Sequence, residues 1–143
     1  MKEQIIQSIL LLLGQKIITV RKSISSIQKA RNNETKSSAG DKFETGRVMM
    51  QAELEKQALL LQKYQNQKAD FLKIQNMQLS KEIGFGSLVL TNHGNYLIAI
   101  GIGRVNNVMV ISLASPLGNT FRGLKSGEKV FFQNKEYQIK NVQ

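Results

Sequence analysis

"IIQSILLLLGQKIITVRKSISSI", Ile5 to Ile27, decides how this chain folds. Within it Ile6, Leu10, Leu13, Ile17, Val20, Ile24 and Ile27 recur at alternating spacings of four and three, which is the apolar seam of a coiled coil sustained over about three heptads. Lys16, Arg21, Lys22, Lys29 and Arg31 lie around that seam, so the outward faces of the helix are basic. The opening run "IIQSILLLLG" also has the look of a signal-peptide core. No small-residue cleavage pattern follows it, and the periodicity continues past Gly14. It is shorter than the about 20 apolar residues that span a bilayer. A soluble cytoplasmic protein with no membrane partner is the expectation.

Working outward, "RNNETKSSAG" has the composition of a frayed helix end and a turn. From about Thr45 to Lys81 no proline intervenes, and Gln, Lys, Glu, Leu and Ala favour a second helix. Its stripe is less regular. Leu54, Ala58, Leu61, Leu72 and Leu79 fit one heptad frame, interrupted by Gln65, Lys68 and Gln75, while Leu60, Tyr64, Phe71 and Ile74 fit a neighbouring one, which describes a drifting or widened face. Two such helices joined by a short break pair as an antiparallel hairpin, a rod of roughly 50 Å with "GDKFET" at its far end.

At Gly84 the composition changes. "SLVL", "YLIAIGI", "VMVISLA", "EKVFFQ" and "EYQIKNV" are short β-type runs separated by turn residues, four or five strands in all. "SPLGNTFRGLKSG" offers a short helix to cover one face of the sheet. The fold class is α+β, divided into an antiparallel coiled-coil hairpin over 1–83, with an acidic tip near 40–45, and a small β domain over 84–143.

The 143 residues carry a formal net charge of +10 and no cysteine. Disulfides, thiolate metal sites and cysteine nucleophiles are excluded, and a reducing compartment is the default. The charge predicts attraction to polyanions, nucleic acid or nucleoprotein first and anionic membrane second. Against that background Asp41 and Glu44 stand out, three residues apart in the break. They can serve the chain's own fold as a capping pair, with Asp41 the N-cap and Glu44 at the third position. Alternatively they are carried away from the body to be inserted into a partner. Two carboxylates are a weak magnesium site by themselves, because the ion takes about six oxygens.

With these features in place, the chain resembles the Gre-type bacterial transcript cleavage factors. "SPLGNTFRGLKSGEKV", Ser115 to Val130, is similar to that family's signature, with the glycines at matching spacing; "FGSLVL", Phe85 to Leu90, and "GDKFET" also resemble family stretches. The resemblance implies an FKBP-like antiparallel head that docks on bacterial RNA polymerase, with Ser115, Pro116, Leu117 and Gly118 as docking residues. It implies a hairpin inserted into the secondary channel, where Asp41 and Glu44 assist catalysis in trans. There they would share magnesium in the polymerase active site, no cofactor being bound by the chain alone. Arg21, Lys22, Lys29, Arg31 and Lys36 would lie along the nascent RNA. The chain itself is expected to be no enzyme, and a monomer.

After Glu44 the family commonly continues Asn-Ala-Glu-Tyr, whereas this chain reads Thr45, Gly46, Arg47 and Val48. A secondary-channel regulator that does not stimulate cleavage therefore stays open, as does a coiled-coil interaction protein that dimerises through the Ile6–Ile27 seam. Prolyl isomerase chemistry would need an aromatic pocket. Tyr96, Phe121, Phe131, Phe132 and Tyr137 are available, but positions such as Phe131 are better explained as core. His93 is read as a turn residue without catalytic role.

Overall fold

The computed structural model describes the backbone of residues 1–36 and 40–143 and the side chains of residues 1–33 and 44–143. Helix α1 spans Lys2–Lys36 and α2 spans Gly40–Gln75. The chain divides into two compact units, one of residues 11–68 and one of residues 1–10 with 69–143.

In the unit of residues 11–68 the helices run antiparallel. Arg31 Nη1 donates to Gln51 Oε1 at 3.1 Å, and Lys16 Nζ sits 5.4 Å from the centre of the Tyr64 ring. Moving down α1 therefore means moving up α2. The seam is buried as its spacing requires: Leu13, Ile17 and Val20 are at most 7% exposed, and Ile24 and Ile27 are half-buried. On α2 the inward positions are Leu54, Gln57, Leu60, Leu61 and Tyr64, all half-buried. The face does drift between the two frames; Ala58 and Leu59 are exposed. By length and composition α1 could cross a bilayer, with a mean hydropathy of 1.2 over its most apolar window. Ile6, Ile9, Leu13 and Ile17 on that helix are buried, while Leu11 and Ile18 are exposed.

The second helix begins five residues earlier than the composition suggests and stops at Gln75 rather than Lys81. Met77 N–H donates to the Ile74 carbonyl at 3.2 Å, a tightened final turn. Leu79 falls beyond the helix and is exposed, and Leu72 is exposed within it.

The other unit holds a six-stranded sheet made by the described residues: β1 Leu88–Thr91, β2 Gly94–Ala99, β3 Gly103–Val105, β4 Val108–Ser112, β5 Lys129–Phe132 and β6 Lys135–Val142, in the order β3-β4-β2-β1-β6-β5. It is three hairpins laid side by side. Each has a two-residue loop, at Asn92-His93, Asn106-Asn107 and Gln133-Asn134. Gln133 and Asn134 both have positive φ, 48° and 64°, as a primed turn demands. The expected antiparallel sheet is corrected at one pairing. "YLIAIGI" is not one strand, because the chain leaves β2 at Ala99 and forms β3 one position beyond. β4 then returns into the gap, parallel to β2, with Leu97 opposite Val110.

One face of the sheet is covered by α3, Pro116–Phe121. Phe121, Ile83, Val89, Ile98, Tyr137 and Ile139 form its core, with Leu117 and Phe132 packed against them. Ile83 is tied beneath α3 by reciprocal backbone bonds, its N–H to the Leu124 carbonyl and its carbonyl to Gly123 N–H, both 2.8 Å. The other face buries Leu88, Leu97, Val108 and Val110. In the same unit Ile5, Ile6, Ile9, Phe71 and Ile74 are buried as well; Asn106 Nδ2 reaches Ser8 Oγ at 3.3 Å. Phe131 corrects the reading of it as core, being 71% exposed. The alternation of β5 turns Val130 and Phe132 inward and leaves Phe131 outside.

Gly14 lies inside α1 with no heavy atom within 4 Å of the place a Cβ would take. Gly14→Ala is therefore expected to raise stability by about 0.5–1 kcal/mol through helix propensity and a less flexible unfolded chain. A urea unfolding curve with an unshifted or lower midpoint would contradict this.

Candidate functional site

The acidic pair falls where α1 ends and α2 begins. Glu44 is exposed, in the second turn of α2 rather than at its third position. The side chain of Asp41 lies outside the described residues, as does that of Lys36. Arg47, one turn beyond Glu44 and also exposed, places a positive charge on the same side of the helix. Among the described residues no three His, Cys, Asp or Glu stand together as a metal cage. Glu44 can offer oxygen ligands to an ion whose remaining ligands come from elsewhere.

Of the basic residues assigned to RNA, Arg21, Lys22 and Lys29 are exposed. Lys22 and Lys29, seven residues apart, share a face about two turns along. Arg31 is turned toward α2 and occupied with Gln51. Lys16, which was not assigned, is held over the Tyr64 ring in a cation–π contact. An aromatic residue opposite a lysine in an antiparallel pair would have been the signal for it.

The stretch from Ser115 to Gly118 does identifiable structural work. Ser115 is the N-cap of α3: its hydroxyl accepts from Gly118 N–H at 3.1 Å and donates to the Ser112 carbonyl at 2.6 Å. Pro116 occupies the first helical turn, where a missing N–H costs nothing. Leu117 packs on the core cluster. Gly118 is buried against the end of β4, and a Cβ there would collide with the Ser112 carbonyl oxygen. Pro116 is the exposed member of the four.

Tyr96, Phe121 and Tyr137 do not stand open as a pocket. They interlock edge to face, Phe121 with Tyr96 at 5.5 Å and with Tyr137 at 5.4 Å between ring centres. Burial, then the hydrogen bond to Tyr137 and the charge of that neighbour, push the Tyr96 phenol up to about 12; Arg104 opposes this in part. His93 is a turn residue as expected. Its Nε2 donates to the Glu136 carbonyl at 3.0 Å, and its ring meets Tyr137 edge-on at 5.0 Å.

No family model matches the chain, and no curated protein matches it. Among solved structures, the crystal structure of GreA factor homolog 1 (Gfh1) of Thermus thermophilus is similar over 94% of this chain and 94% of that one, at 16% identity and a TM-score of 0.38. A likeness that loose has no bearing on function.

Gly118→Ala is expected to lose about 1–3 kcal/mol of stability or more by overpacking, opposite in sign to Gly14→Ala. Ser115→Ala should cost about 1 kcal/mol. Chemical unfolding of both variants checks this. The raised pKa of Tyr96 means that the fold favours its neutral phenol. That contribution is complete below pH 10 and is lost as pH rises toward about 12. An alkaline absorbance titration should show a last tyrosinate step near 12, absent in Tyr96→Phe.

Proposed function

We propose that this chain is an accessory factor of bacterial RNA polymerase of the Gre type, a soluble cytoplasmic monomer that inserts its helical hairpin into the secondary channel and presents Asp41 and Glu44 to the polymerase active centre. One observation carries the reading: α1 ending at Lys36 and α2 beginning at Gly40 run antiparallel, and Glu44 is exposed in the second turn of α2. Two others support it. The exposed Arg21, Lys22 and Lys29 offer phosphate contacts to nascent RNA, and Ser115 and Gly118 of the family-like stretch are joined as helix cap and close-packed glycine.

A magnesium ion shared with the polymerase would supply the charge that stabilises the leaving oxygen during RNA hydrolysis. The part played by this chain is to hold that ion jointly and to orient the attacking water, whose O–H groups its carboxylates accept. The hydrolytic activity belongs to the polymerase. Pro116, exposed beside the buried Gly118, is the docking residue of the head open to a partner.

Arg47 favours a second reading. A positive charge one turn from Glu44 weakens cation affinity and suits a regulator that occupies the channel without promoting cleavage.

Adding the protein to a stalled, backtracked polymerase complex distinguishes these. Shortening of the RNA 3′ end should accelerate, and Asp41→Ala or Glu44→Ala should each return the rate to that of polymerase alone. Binding with no acceleration would select the regulator, and Arg47→Glu would then be expected to restore some cleavage. Absence of binding would refute both.

A further inference from the structure

The sheet face opposite α3 changes character across its width. Toward β1, β2 and β4 it is closed, with Leu88, Leu97 and Val110 at most 1% exposed. Toward the β5 edge it opens. There Phe131 pairs with Glu136 and Lys129 with Gln138, and Lys129 Nζ lies 3.7 Å from Glu136 Oε1, which places all four side chains on one side. The Phe131 ring is 71% exposed in the middle of them. A phenyl ring held in water on a rigid edge strand contributes nothing to this core, which Val130 and Phe132 serve from the other side.

The surroundings of the ring are basic and carry an amide. By the alternation of β6, Lys140 shares the side of Glu136 and Gln138 and so joins Lys129 there, while Lys135, opposite Phe132, belongs to the other side; Gln138 adds an exposed side chain that both donates and accepts. We propose that this face binds a single-stranded polynucleotide: the Phe131 ring stacks on a base, the lysines take the flanking phosphates and Gln138 meets a base edge. The charge balance attracts a polyanion, and an open aromatic face flanked by cations fits a flat base with a phosphate on either side. An acidic peptide would use the lysines but leave the ring and the amide without a role. A duplex hides the faces of its bases, so the partner is single-stranded. This inference does not rest on the polymerase reading, since it concerns the sheet unit alone.

The chain has no tryptophan, so Phe131→Trp introduces a single indole reporter at the site. Titrating that protein with a uridine or thymidine oligomer of about twelve nucleotides, the span of one small binding module, should quench its fluorescence. A duplex of the same length should not. Phe131→Ala should weaken binding of the labelled oligomer about tenfold, as expected for loss of one stacked base. Lys129→Gln with Lys140→Gln should lower the salt dependence of binding by about 1.4 in logarithmic slope. Binding of the labelled strand without quenching would place it on the helices and overturn the proposal. So would an unchanged affinity in Phe131→Ala, or equal quenching by an oligoglutamate peptide or by duplex.

Discussion

Leu13, Ile17 and Val20 must leave water together, and a three-four spacing allows that only if a second helix lies along the first. The constraint sets the antiparallel course of α2, and with it the pairing of Arg31 with Gln51 and of Lys16 with Tyr64. It also fixes what remains outside. A side chain about a third of a turn or more off the seam has nowhere to go but solvent, which is why Lys22 and Lys29 are presented rather than buried. The basic character of the hairpin and its stability are therefore two aspects of one periodicity. Burial of three large aliphatic side chains contributes about 1.5–3 kcal/mol each before chain entropy is charged against it, far more than any of the exposed polar contacts along the same helices.

In the sheet unit the comparable constraint is the close approach of α3 to the end of β4. Ser112 offers its carbonyl to the Ser115 hydroxyl and its own hydroxyl to the Ser115 N–H, so a single serine pair joins strand to helix. Only a residue without a Cβ fits at Gly118, one turn into that helix. Phe121 then reaches the core between Tyr96 and Tyr137. Each position from Ser115 to Gly118 thus has a mechanical reason: cap, fixed φ, core contact, close approach.

How much of this was legible in the sequence depended on the range of the physics involved. The α1 seam was readable because its period is a local property of consecutive residues. The start of α2 is not legible from composition, since Gly40 counts as a breaker whereas the helix begins there. Turn residues between the β-type runs are legible in the sequence, but β3 and the parallel β2/β4 pair are not, since nothing in residues 100–107 states that β3 will lie beyond β4. Hydrophobicity alone does not place Phe131, because the alternation of "KVFF" can turn only every second residue inward. At the candidate site, the exposure of Glu44 followed from its place near the break between the helices, whereas the occupation of Arg31 by Gln51 needed the register of two helices.

The three side-by-side hairpins have a kinetic corollary. Each closes over a two-residue loop, an event of microseconds that needs no information from the rest of the chain. The joints between them are another matter. Val89 must find Val142, and Leu97 must find Val110 with the strands pointing the same way. Loop-closure entropy is concentrated in those two long-range encounters. The slow step in acquiring this sheet is thus the docking of ready-made ribbons, not the formation of any one of them, and substitutions at the joints will retard folding where those at the loops will mostly hasten unfolding.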